Sequence, residues 1–427
     1  MDAASPPTTP RADCGTLVVG ASQAGVQLVS SLRELGDDRS ITLIGDEPHQ
    51  PYQRPPLSKA FLAGDVEQDA LSFRTPEYYG DHGISLVCGE RVVTIEPPDA
   101  DRPGRATTDT GRVITFSRLA LTVGARPRRL SVPGADLDGV CYLRDVDDSA
   151  RLRARLASAE RVVVVGGGFI GLEAAAVARA QGKQVTVVEA AERLLGRAVA
   201  DVVSDFYLHA HRRRGTAVAL GAAAAAIEGV DGVVTSLETT DGRSYPADLV
   251  LVGVGVEPRT ELAQQLGLTC DGGIVVDAGC RTNHPHVVAA GDCTVQPHPL
   301  TGKGRVRLES VQNAVSQARC AAATLLGLPS NPAVPWFWSD QADLKLQIAG
   351  LNLGYDEVVL RGEPATERFS ALYYGHGHLL AVDAVNRPTD YMAVRKALTT
   401  GADIPPELAK DDSTPLKSLL APATLAG

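Results

Sequence analysis

Two stretches of the chain share one hydrophobic pattern, in which a short apolar run and a glycine-rich turn precede a segment with helical spacing. In the first stretch, "TLVVG" leads through "GASQAG" (20–25) into "VQLVSSLREL". In the second, "RVVVVGGGFIG" leads into "LEAAAVARAQGK", and a further apolar run, "QVTVV", follows. Unbroken apolar runs indicate strands buried on both faces, so each stretch predicts a strand, turn and helix of a parallel sheet.

Later segments extend the pattern. "LALTVGARPRRLSVPGA" (119–135) predicts a strand followed by a crossing loop, and "ADLVLVGVGVEPRTEL" (247–262) predicts a return strand. "RLESVQNAVSQARCAAATLLG" predicts a helix with Ser310 as its N-cap. From about residue 332 apolar and polar residues alternate as in antiparallel strands, and "DYMAVRKALTTG" predicts a closing helix.

These elements predict an α/β fold with two Rossmann-like dinucleotide-binding domains and a C-terminal α+β domain. The predicted division assigns residues 1–121 and 250–330 to a discontinuous first domain, 122–249 to an inserted second domain, and 331–427 to the third.

Composition narrows the class of protein. The 427 residues are 44% hydrophobic and 22% charged, an ordinary globular balance, and the chain has no apolar stretch of the roughly 18–20 residues that a membrane span needs. The formal net charge of −10 argues against nonspecific binding to nucleic acid. The seven cysteines are scattered without a CxxC pair, which argues against a zinc site and a disulfide framework. Residues 1–14 lack the features of a secretion signal and predict a short disordered tail, so we expect a cytoplasmic protein that does not bind membranes.

The second glycine turn has the GxGxxG frame of a dinucleotide site in Gly166, Gly168 and Gly171. The first glycine permits the tight turn, the second lets a pyrophosphate approach the backbone, and the third packs helix against strand. Glu189 ends the following strand, where a carboxylate accepts hydrogen bonds from a ribose 2′-hydroxyl and repels a 2′-phosphate, which favours NADH over NADPH. Arg193 and Arg197 weaken that preference, since arginine is the usual phosphate partner.

The first turn keeps Gly20 and Gly25 but has Ser22 at the middle position, which is still small enough for a close backbone approach. Asp46 and Glu47 follow the next strand, where an acid could hold a ribose. Two such units with different sequences suggest two different nucleotides, a bound FAD and an exchanging nicotinamide.

A late segment, "TNHPHVVAAGDCT", resembles the return strand of an FAD site. Its Gly291 and Asp292 would reach the ribityl chain, although an ordinary turn aspartate is the competing interpretation.

Several further motifs are specific. "PYQRPPLSKAFLAG" (51–64), "AAGDCT", "RLESVQNAVSQAR", "PWFWSDQADLKLQIAG" and "VDAVNRPTDYMAVRK" occur together with the second glycine turn. From about residue 15 to 420 the chain resembles the FAD-dependent ferredoxin reductases that serve bacterial cytochrome P450s and Rieske-type dioxygenases. The resemblance implies a glutathione-reductase-like fold and an enzyme that takes hydride from NADH onto FAD and passes electrons singly to a [2Fe-2S] ferredoxin.

The resemblance also implies roles for particular residues. The implied FAD contacts are Ala24, Asp46, Arg54, Lys59, Val92, Arg144, Asp292, Val311 and Trp338, and Gly255 and Arg193 join the NAD site. Lys59 and Glu173 are implied to pair in catalysis, because a cation close to the flavin favours its anionic reduced form. Without the resemblance, Lys59 would be interpreted as a surface lysine of a helix and Glu173 as an ordinary helix residue. Core packing is the ordinary interpretation of Trp336, whereas Trp338 could stack beside the flavin.

Ferredoxins are acidic, so an electropositive docking site is expected despite the net charge. Arg319 matches a docking position of the family, and Arg305 and Arg307 are nearby candidates, with ordinary surface arginines as the alternative. The oligomeric state is open between monomer and homodimer. A dithiol reductase is disfavoured because the first domain has no close cysteine pair, whereas an NADH-responsive redox sensor like apoptosis-inducing factor stays an alternative.

Overall fold

The computed structural model describes residues 14–99, 102–330 and 333–422. They form two compact units. The first unit comprises the described residues of 1–52, 72–125 and 258–332, and the second those of 53–71, 126–257 and 333–427. The three-domain division stays a prediction. The tail predicted over residues 1–14 lies, except for Cys14, outside the described residues.

A parallel sheet of five strands forms the core of the first unit. Helices Gln23–Glu34 and Val311–Leu325 share an apolar cluster with it that includes Val18, Leu28 and Ala318. In order across the sheet the strands are Val287–Ala289, Arg118–Leu121, Thr16–Val19, Ile41–Ile44 and Ile84–Val87.

Smaller elements complete the first unit. Two three-stranded sheets consist of Val92–Glu96, Gly104–Thr108 and Val113–Phe116, and of Ile274–Val275, Thr294–Pro297 and Arg305–Val306. The short helices are Pro76–Asp81 and Glu261–Gln265. Ser310 caps helix Val311–Leu325, as predicted, because its Oγ accepts the Asn313 N–H at 3.1 Å.

A second five-stranded parallel sheet lies in the second unit. The four valines of strand Arg161–Val165 occupy its centre and are buried, which explains the unbroken apolar run. Across the sheet the strands are Ala217–Ala219, Gln184–Val188, Arg161–Val165, Leu249–Val252 and Val140–Tyr142. The helices that accompany it are Val146–Ser158, Phe169–Ala180, Asp201–Arg213 and the short Ala60–Ala63.

The C-terminal part of the second unit is an antiparallel sheet followed by a helix, as the alternating pattern predicts. Its strands, in order across the sheet, are Trp336–Gln341, Leu344–Gly350, His378–Val385, Arg368–Gly375 and Glu357–Glu363. Helix Pro388–Thr400 is the predicted closing helix. The other C-terminal elements are helix Pro406–Ala409 and the strand pair Ala402–Asp403 with Ala421–Pro422. Earlier in the second unit, a three-stranded sheet consists of Ala224–Val230, Val233–Thr239 and Ser244–Pro246.

The remaining elements are short. A two-stranded ladder pairs Ala125–Pro127 with Val256–Pro258. The 3₁₀ turns are Pro55–Ser58, Gln68–Leu71, Pro364–Thr366 and Leu416–Ser418. Among the described residues, none of the helices combines the length and the hydropathy needed to cross a membrane.

Asp383 is an acidic residue buried within the antiparallel sheet. It lies in strand His378–Val385 and accepts a hydrogen bond from the hydroxyl of Tyr373 on the neighbouring strand. Burial raises the pKa of Asp383 to about 7, against the smaller opposing effect of that hydrogen bond. The folded protein therefore keeps this proton up to nearly neutral pH.

We expect Asp383→Asn to remove a pH-dependent loss of stability. The ordinary pKa of an aspartate is 3.8, and that of Asp383 in the folded protein is about 7. At a pH between these two values the carboxyl is protonated in the folded protein and ionised in the unfolded one. The free energy of unfolding therefore falls as the pH rises through this range. Across this pH range the free energy of unfolding falls by about 4 kcal/mol. Urea unfolding of both proteins from about pH 4 to about pH 8 checks this: the advantage of the variant should grow with pH. A difference that stays constant would contradict it.

Candidate nucleotide-binding sites

The first glycine turn (residues 20–25) joins strand Thr16–Val19 to helix Gln23–Glu34 in the first unit. Gly20 has a φ of +115°, and a Cβ there would lie 2.2 Å from the carbonyl oxygen of Thr122. A Cβ at Gly25 would lie 2.0 Å from the carbonyl oxygen of Gly20. Ser22 is the N-cap residue and has an extended backbone, with a φ of −126°. The turn therefore needs glycine at both outer positions and accepts serine in the middle.

The late return segment meets this turn within the same unit. Gly291 has a φ of +88°, and a Cβ on it would lie 3.3 Å from the Cβ of Ala24 at the start of the helix. The first N–H groups of a helix lack partners inside the helix and attract anions. Ala24 and Gly291, both predicted from the sequence as FAD residues, are thus brought together at a helix N-terminus.

A buried amide network holds the return segment, and no local sequence pattern predicted it. The Oε1 of Gln317 accepts hydrogen bonds from the Gly291 N–H at 2.8 Å and from the Thr294 hydroxyl at 2.9 Å. Gln317 also donates to Gln296 at 2.9 Å, and Gln296 donates to Asn313 at 3.0 Å. Helix Val311–Leu325 therefore fixes the conformation of the turn that precedes Asp292.

Asp46 has an arginine partner that sequence reasoning missed. Its carboxylate lies 2.9 Å from a guanidinium nitrogen of Arg259 and 3.6 Å from one of Arg91. The neighbouring Glu47 accepts a hydrogen bond from the Tyr52 hydroxyl. Of the two acids considered for a ribose, Asp46 is thus held by a cation and Glu47 by a phenol.

The implied FAD contacts are divided between the two units. Ala24, Asp46, Val92, Asp292 and Val311 belong to the first unit, whereas Arg54, Lys59, Arg144 and Trp338 belong to the second. Val92 begins strand Val92–Glu96 and is buried, and Val311 begins the helix capped by Ser310. The residues of the first unit fit a dinucleotide, since the glycine turn lies at a helix N-terminus, where backbone N–H groups attract a pyrophosphate.

The second glycine turn (residues 166–171) repeats this geometry in the second unit. Gly166 has a φ of +106°, and a Cβ on it would lie 2.4 Å from the carbonyl oxygen of Gly253. A Cβ at Gly171 would lie 2.4 Å from the carbonyl oxygen of Gly166. A Cβ at Gly168, by contrast, would meet no described atom within 4 Å. The middle position thus leaves room for a ligand to approach the backbone at the start of helix Phe169–Ala180, which also fits a dinucleotide.

Glu189 lies against the second turn. Its Oε2 accepts the Gly167 N–H at 2.6 Å, and its Oε1 accepts the Ala191 N–H at 2.7 Å. The carboxylate is therefore fixed at the end of strand Gln184–Val188, beside the cradle. That is the position at which an acid can select the ribose hydroxyl.

The two arginines after Glu189 have different surroundings. Arg193 donates to the carbonyls of Val199 at 2.8 Å and Gly196 at 2.6 Å, and it lies 3.2 Å from Asp201. Its guanidinium thus supports its own loop. A Cβ at Gly255 would lie 3.5 Å from the Nη2 of Arg197, so Gly255 and Arg197 are neighbours.

Lys59 and Glu173 form an ion pair within the second unit. The Nζ of Lys59 lies 2.6 Å from the Oε2 of Glu173, and the side chain of Lys59 is 21% exposed while that of Glu173 is 2% exposed. The hydroxyl of Ser58 donates to the same carboxylate oxygen at 2.6 Å. The pairing implied by the resemblance is present, and it sets a partly accessible cation on a buried anion.

Arg54, Arg144 and Trp338 also lie in the second unit. Arg54 donates to the carbonyl of Arg144 at 2.6 Å, which brings two implied FAD residues together. The rings of Trp336 and Trp338 lie 5.6 Å apart, and Trp336 also contacts Tyr391 edge-on at 6.5 Å. Trp336 thus packs onto helix Pro388–Thr400, whereas Trp338 stays half-buried on the edge strand.

The three arginines predicted as docking candidates differ in their surroundings. Arg305 lies 3.5 Å from Asp271, and Arg307 lies 2.8 Å from Glu309. Arg319 is exposed on helix Val311–Leu325. Acidic partners therefore offset the positive charge of Arg305 and Arg307.

Comparison with known proteins gives consistent similarities. Residues 15–318 match the family model described as pyridine nucleotide-disulphide oxidoreductase, and residues 336–420 match the reductase C-terminal model. The chain is 46% identical to rhodocoxin reductase from Rhodococcus erythropolis over 95% of this chain and 94% of that protein. A ferredoxin reductase for the CYP199A2 system from Rhodopseudomonas palustris has a similar structure, with a TM-score of 0.91, 43% identity, and coverage of 96% and 100% of the two chains. The covalent putidaredoxin reductase–putidaredoxin complex gives a TM-score of 0.91 at 39% identity, covering 95% of this chain and 97% of that one.

Proposed function

This chain belongs to the pyridine nucleotide-disulphide oxidoreductase family, and from that membership we propose that it is the NADH-dependent, FAD-containing ferredoxin reductase of a bacterial oxygenase system. The observation that carries the proposal is the presence of two separate backbone cradles, each at a helix N-terminus. In each cradle, the two outer glycines stand where a Cβ would clash with a backbone oxygen. The similar structure from Rhodopseudomonas palustris is a ferredoxin reductase, which supports one enzyme that uses both cradles.

In this proposal the first glycine turn holds the FAD pyrophosphate. Gly20 and Gly25 permit the tight turn, the small Ser22 allows a close approach to the backbone, and the N–H groups of helix Gln23–Glu34 receive the negative charge of the pyrophosphate. Asp46 binds the ribose, and Asp292 binds the ribityl chain. The 2.9 Å contact between Arg259 and Asp46 supports an ionised carboxylate at that position, ready to accept hydrogen bonds.

The second glycine turn then receives NADH. Gly166, Gly168 and Gly171 admit the pyrophosphate, and Glu189 accepts the ribose hydroxyls. The hydrogen bonds from Gly167 and Ala191 support this role, because they fix the carboxylate beside the cradle before any ligand binds.

When bound, FAD accepts a hydride from NADH and releases the two electrons one at a time. The protein needs no acid or base for this, so its contribution is alignment and electrostatics. We assign the electrostatic part to Lys59, whose charge is maintained by the buried carboxylate of Glu173 at 2.6 Å. The flavin contacts of Arg54, Val92, Arg144, Val311 and Trp338 are parts of the same proposal.

Glu189→Gln should lower the preference for NADH. The amide oxygen still accepts the Gly167 N–H, but the variant loses the bond from the Ala191 N–H and the charge that repels a 2′-phosphate. We therefore expect the ratio of kcat/KM for NADH to that for NADPH to fall about tenfold. Steady-state kinetics with both nucleotides measure the ratio. Glu192→Gln, a neutralised glutamate three positions along the same loop, is the matched control and should leave the ratio unchanged. An unaltered ratio in Glu189→Gln would remove Glu189 from nucleotide selection.

The electron acceptor is a ferredoxin, and we propose one of the [2Fe-2S] type. The exposed Arg319 is our first candidate for its docking, followed by Arg305 and Arg307, which share their charge with Asp271 and Glu309. We expect the protein in the cytoplasm.

Anaerobic titration of the purified protein with NADH and then NADPH tests the function. A yellow protein should be bleached by NADH at a lower concentration than by NADPH, and a panel of [2Fe-2S] ferredoxins should then restore the colour. The panel is run at low and high salt, because charge-steered docking slows as salt screens it. A colourless protein that does not take up added FAD would contradict the proposal.

A further inference from the structure

The carboxylate of Glu173 receives hydrogen bonds from three side chains, which lie in two separate segments of the second unit. Lys59 and Ser58 donate to its Oε2, each at 2.6 Å. Ser339, in strand Trp336–Gln341 of the antiparallel sheet, donates to its Oε1 at 2.6 Å. Both carboxylate oxygens are thus held, Oε2 by Lys59 and Ser58 and Oε1 by Ser339, a residue to which no role has been assigned.

The hydrogen bonds continue away from Glu173 through two more buried side chains. Gln341 donates from Nε2 to the Oγ of Ser339 at 3.2 Å, and its Oε1 lies 2.8 Å from the Nε2 of His211 on helix Asp201–Arg213. Because the Ser339 hydrogen goes to Glu173, the Ser339 oxygen must accept from Gln341. The amide oxygen of Gln341 is then left to accept from the imidazole. The hydrogen bonds run in one direction, from His211 through Gln341 and Ser339 to Glu173.

The protonation state of His211 agrees with that direction. Burial lowers its pKa, and the charge of Arg214 acts the same way, against an opposing effect of the Gln341 hydrogen bond. A neutral imidazole carries one N–H, and the hydrogen bond to the amide oxygen of Gln341 assigns that hydrogen to Nε2. Ser339, Gln341 and His211 are 0%, 1% and 3% exposed, so water does not replace these bonds.

An apolar face would have sufficed for folding at this place. Phe337, Ser339 and Gln341 share one face of their strand, and Phe337 packs on Phe169 of helix Phe169–Ala180 at 4.6 Å. Two polar side chains in such a face cost stability unless every hydrogen bond is made, and well-packed apolar residues often replace a buried polar group without loss. Their hydrogen bonds, which lead to the Lys59–Glu173 pair, point to a role beyond packing.

We propose that Ser339, Gln341 and His211 are positioning residues for the reduction of the flavin by NADH, acting through Glu173 to keep its Oε2 on the ammonium of Lys59. The proposal rests on the role assigned to Lys59 above. Without the Ser339 hydrogen bond, the carboxylate turns to satisfy its free oxygen. The ammonium of Lys59 then loses the fixed position of its partner, the Oε2 of Glu173, although Lys59 itself is unchanged.

The reactivity of Lys59 tests the positioning without relying on turnover. Lys59 is 21% exposed in its side chain, so an amine reagent such as acetic anhydride can reach it, and mass spectrometry of the digested holoenzyme gives its labelling rate relative to other lysines. We expect Ser339→Ala to raise that rate about tenfold, the effect of losing a hydrogen bond to a charged group. Ser370→Ala is the matched control, because Ser370 is also a fully buried serine of the same sheet that donates to a carboxylate, that of Asp390, at 3.0 Å.

Two substitutions of His211, which lies at the end of the hydrogen-bond series opposite to Glu173, separate positioning from packing. His211→Gln keeps an N–H donor near the position of Nε2, whereas His211→Leu removes it. We expect His211→Leu to raise the Lys59 labelling rate about threefold and His211→Gln to leave it near the native rate. In stopped-flow experiments the limiting rate of flavin reduction should fall by the same factors, with the concentration of NADH for half-maximal rate unchanged.

The outcomes distinguish this inference from the proposed function. Native labelling of Lys59 in both Ser339→Ala and His211→Leu overturns the inference, and so does equal labelling in His211→Gln and His211→Leu. Gln341→Leu provides the same test if Ser339→Ala does not fold. A further outcome is that the labelling follows the expectation while Lys59→Ala reduces its flavin at the native rate. In that case the role of Lys59 in the proposed function is wrong, whereas the positioning of Lys59 through Glu173 is confirmed.

Discussion

Gly20→Ala should yield a folded protein that purifies without its flavin. A Cβ at this position would lie 2.2 Å from the backbone oxygen of Thr122, and the φ of +115° is one that an alanine rarely adopts. The glycine turn and the backbone at Thr122 must therefore move apart, at the point where the pyrophosphate is proposed to bind. We expect the affinity for FAD to fall at least about a hundredfold, because the displaced N–H groups of the turn and of the helix N-terminus no longer fit the pyrophosphate.

The measurement is the ratio of absorbance at 450 nm to that at 280 nm after gel filtration, followed by titration with FAD. Gly36→Ala is the matched control. Gly36 follows the other end of the same helix with a φ of +85°, and a Cβ there would meet no described atom within 4 Å. Circular dichroism at 25 °C establishes that both variants are folded. A folded Gly20→Ala protein with a full complement of FAD would show that the first turn does not hold the flavin.

Lys59→Ala should keep its FAD and reduce it slowly. The ammonium is proposed to offset the negative charge that the flavin gains on reduction, and removing one such group from a preorganised site costs about a hundredfold in rate. Stopped-flow absorbance with excess NADH measures the reduction directly. The expected change lies in the limiting rate, since Lys59 has no assigned part in nucleotide binding.

Lys183→Ala is the control for this experiment, because it removes a lysine just after helix Phe169–Ala180, the helix that carries Glu173. It should reduce its flavin at the native rate. An unchanged limiting rate in Lys59→Ala would exclude the electrostatic role. A protein that loses its FAD would instead show that Lys59 acts in binding.

The local parts of both cradles follow from the sequence. Gly20 and Gly166 each end an apolar run, and each glycine turn is followed by residues with helical periodicity. Strands Thr16–Val19 and Arg161–Val165 and their helices were therefore predictable. The Ser310 cap was also predictable, because a cap depends on residues only three positions apart.

Contacts between distant parts of the chain were not predictable in the same way. Arg259 binds Asp46 across 213 positions, and Ser339 binds Glu173 across 166 positions. Neither arginine nor serine is unusual in its local sequence, so only the packing of the strands and helices brings these pairs together. The Lys59–Glu173 pair was expected because of the resemblance, since residue spacing carried no signal for it.

The most direct test of the whole account is the number of ferredoxin molecules that the protein reduces with one NADH. The protein is mixed anaerobically with a limiting amount of NADH and an excess of a [2Fe-2S] ferredoxin, and the loss of ferredoxin absorbance is followed to its end. The account predicts two reduced ferredoxins for each NADH consumed, with none reduced when NADH is omitted. Consumption of NADH without reduction of any ferredoxin in the panel would contradict it.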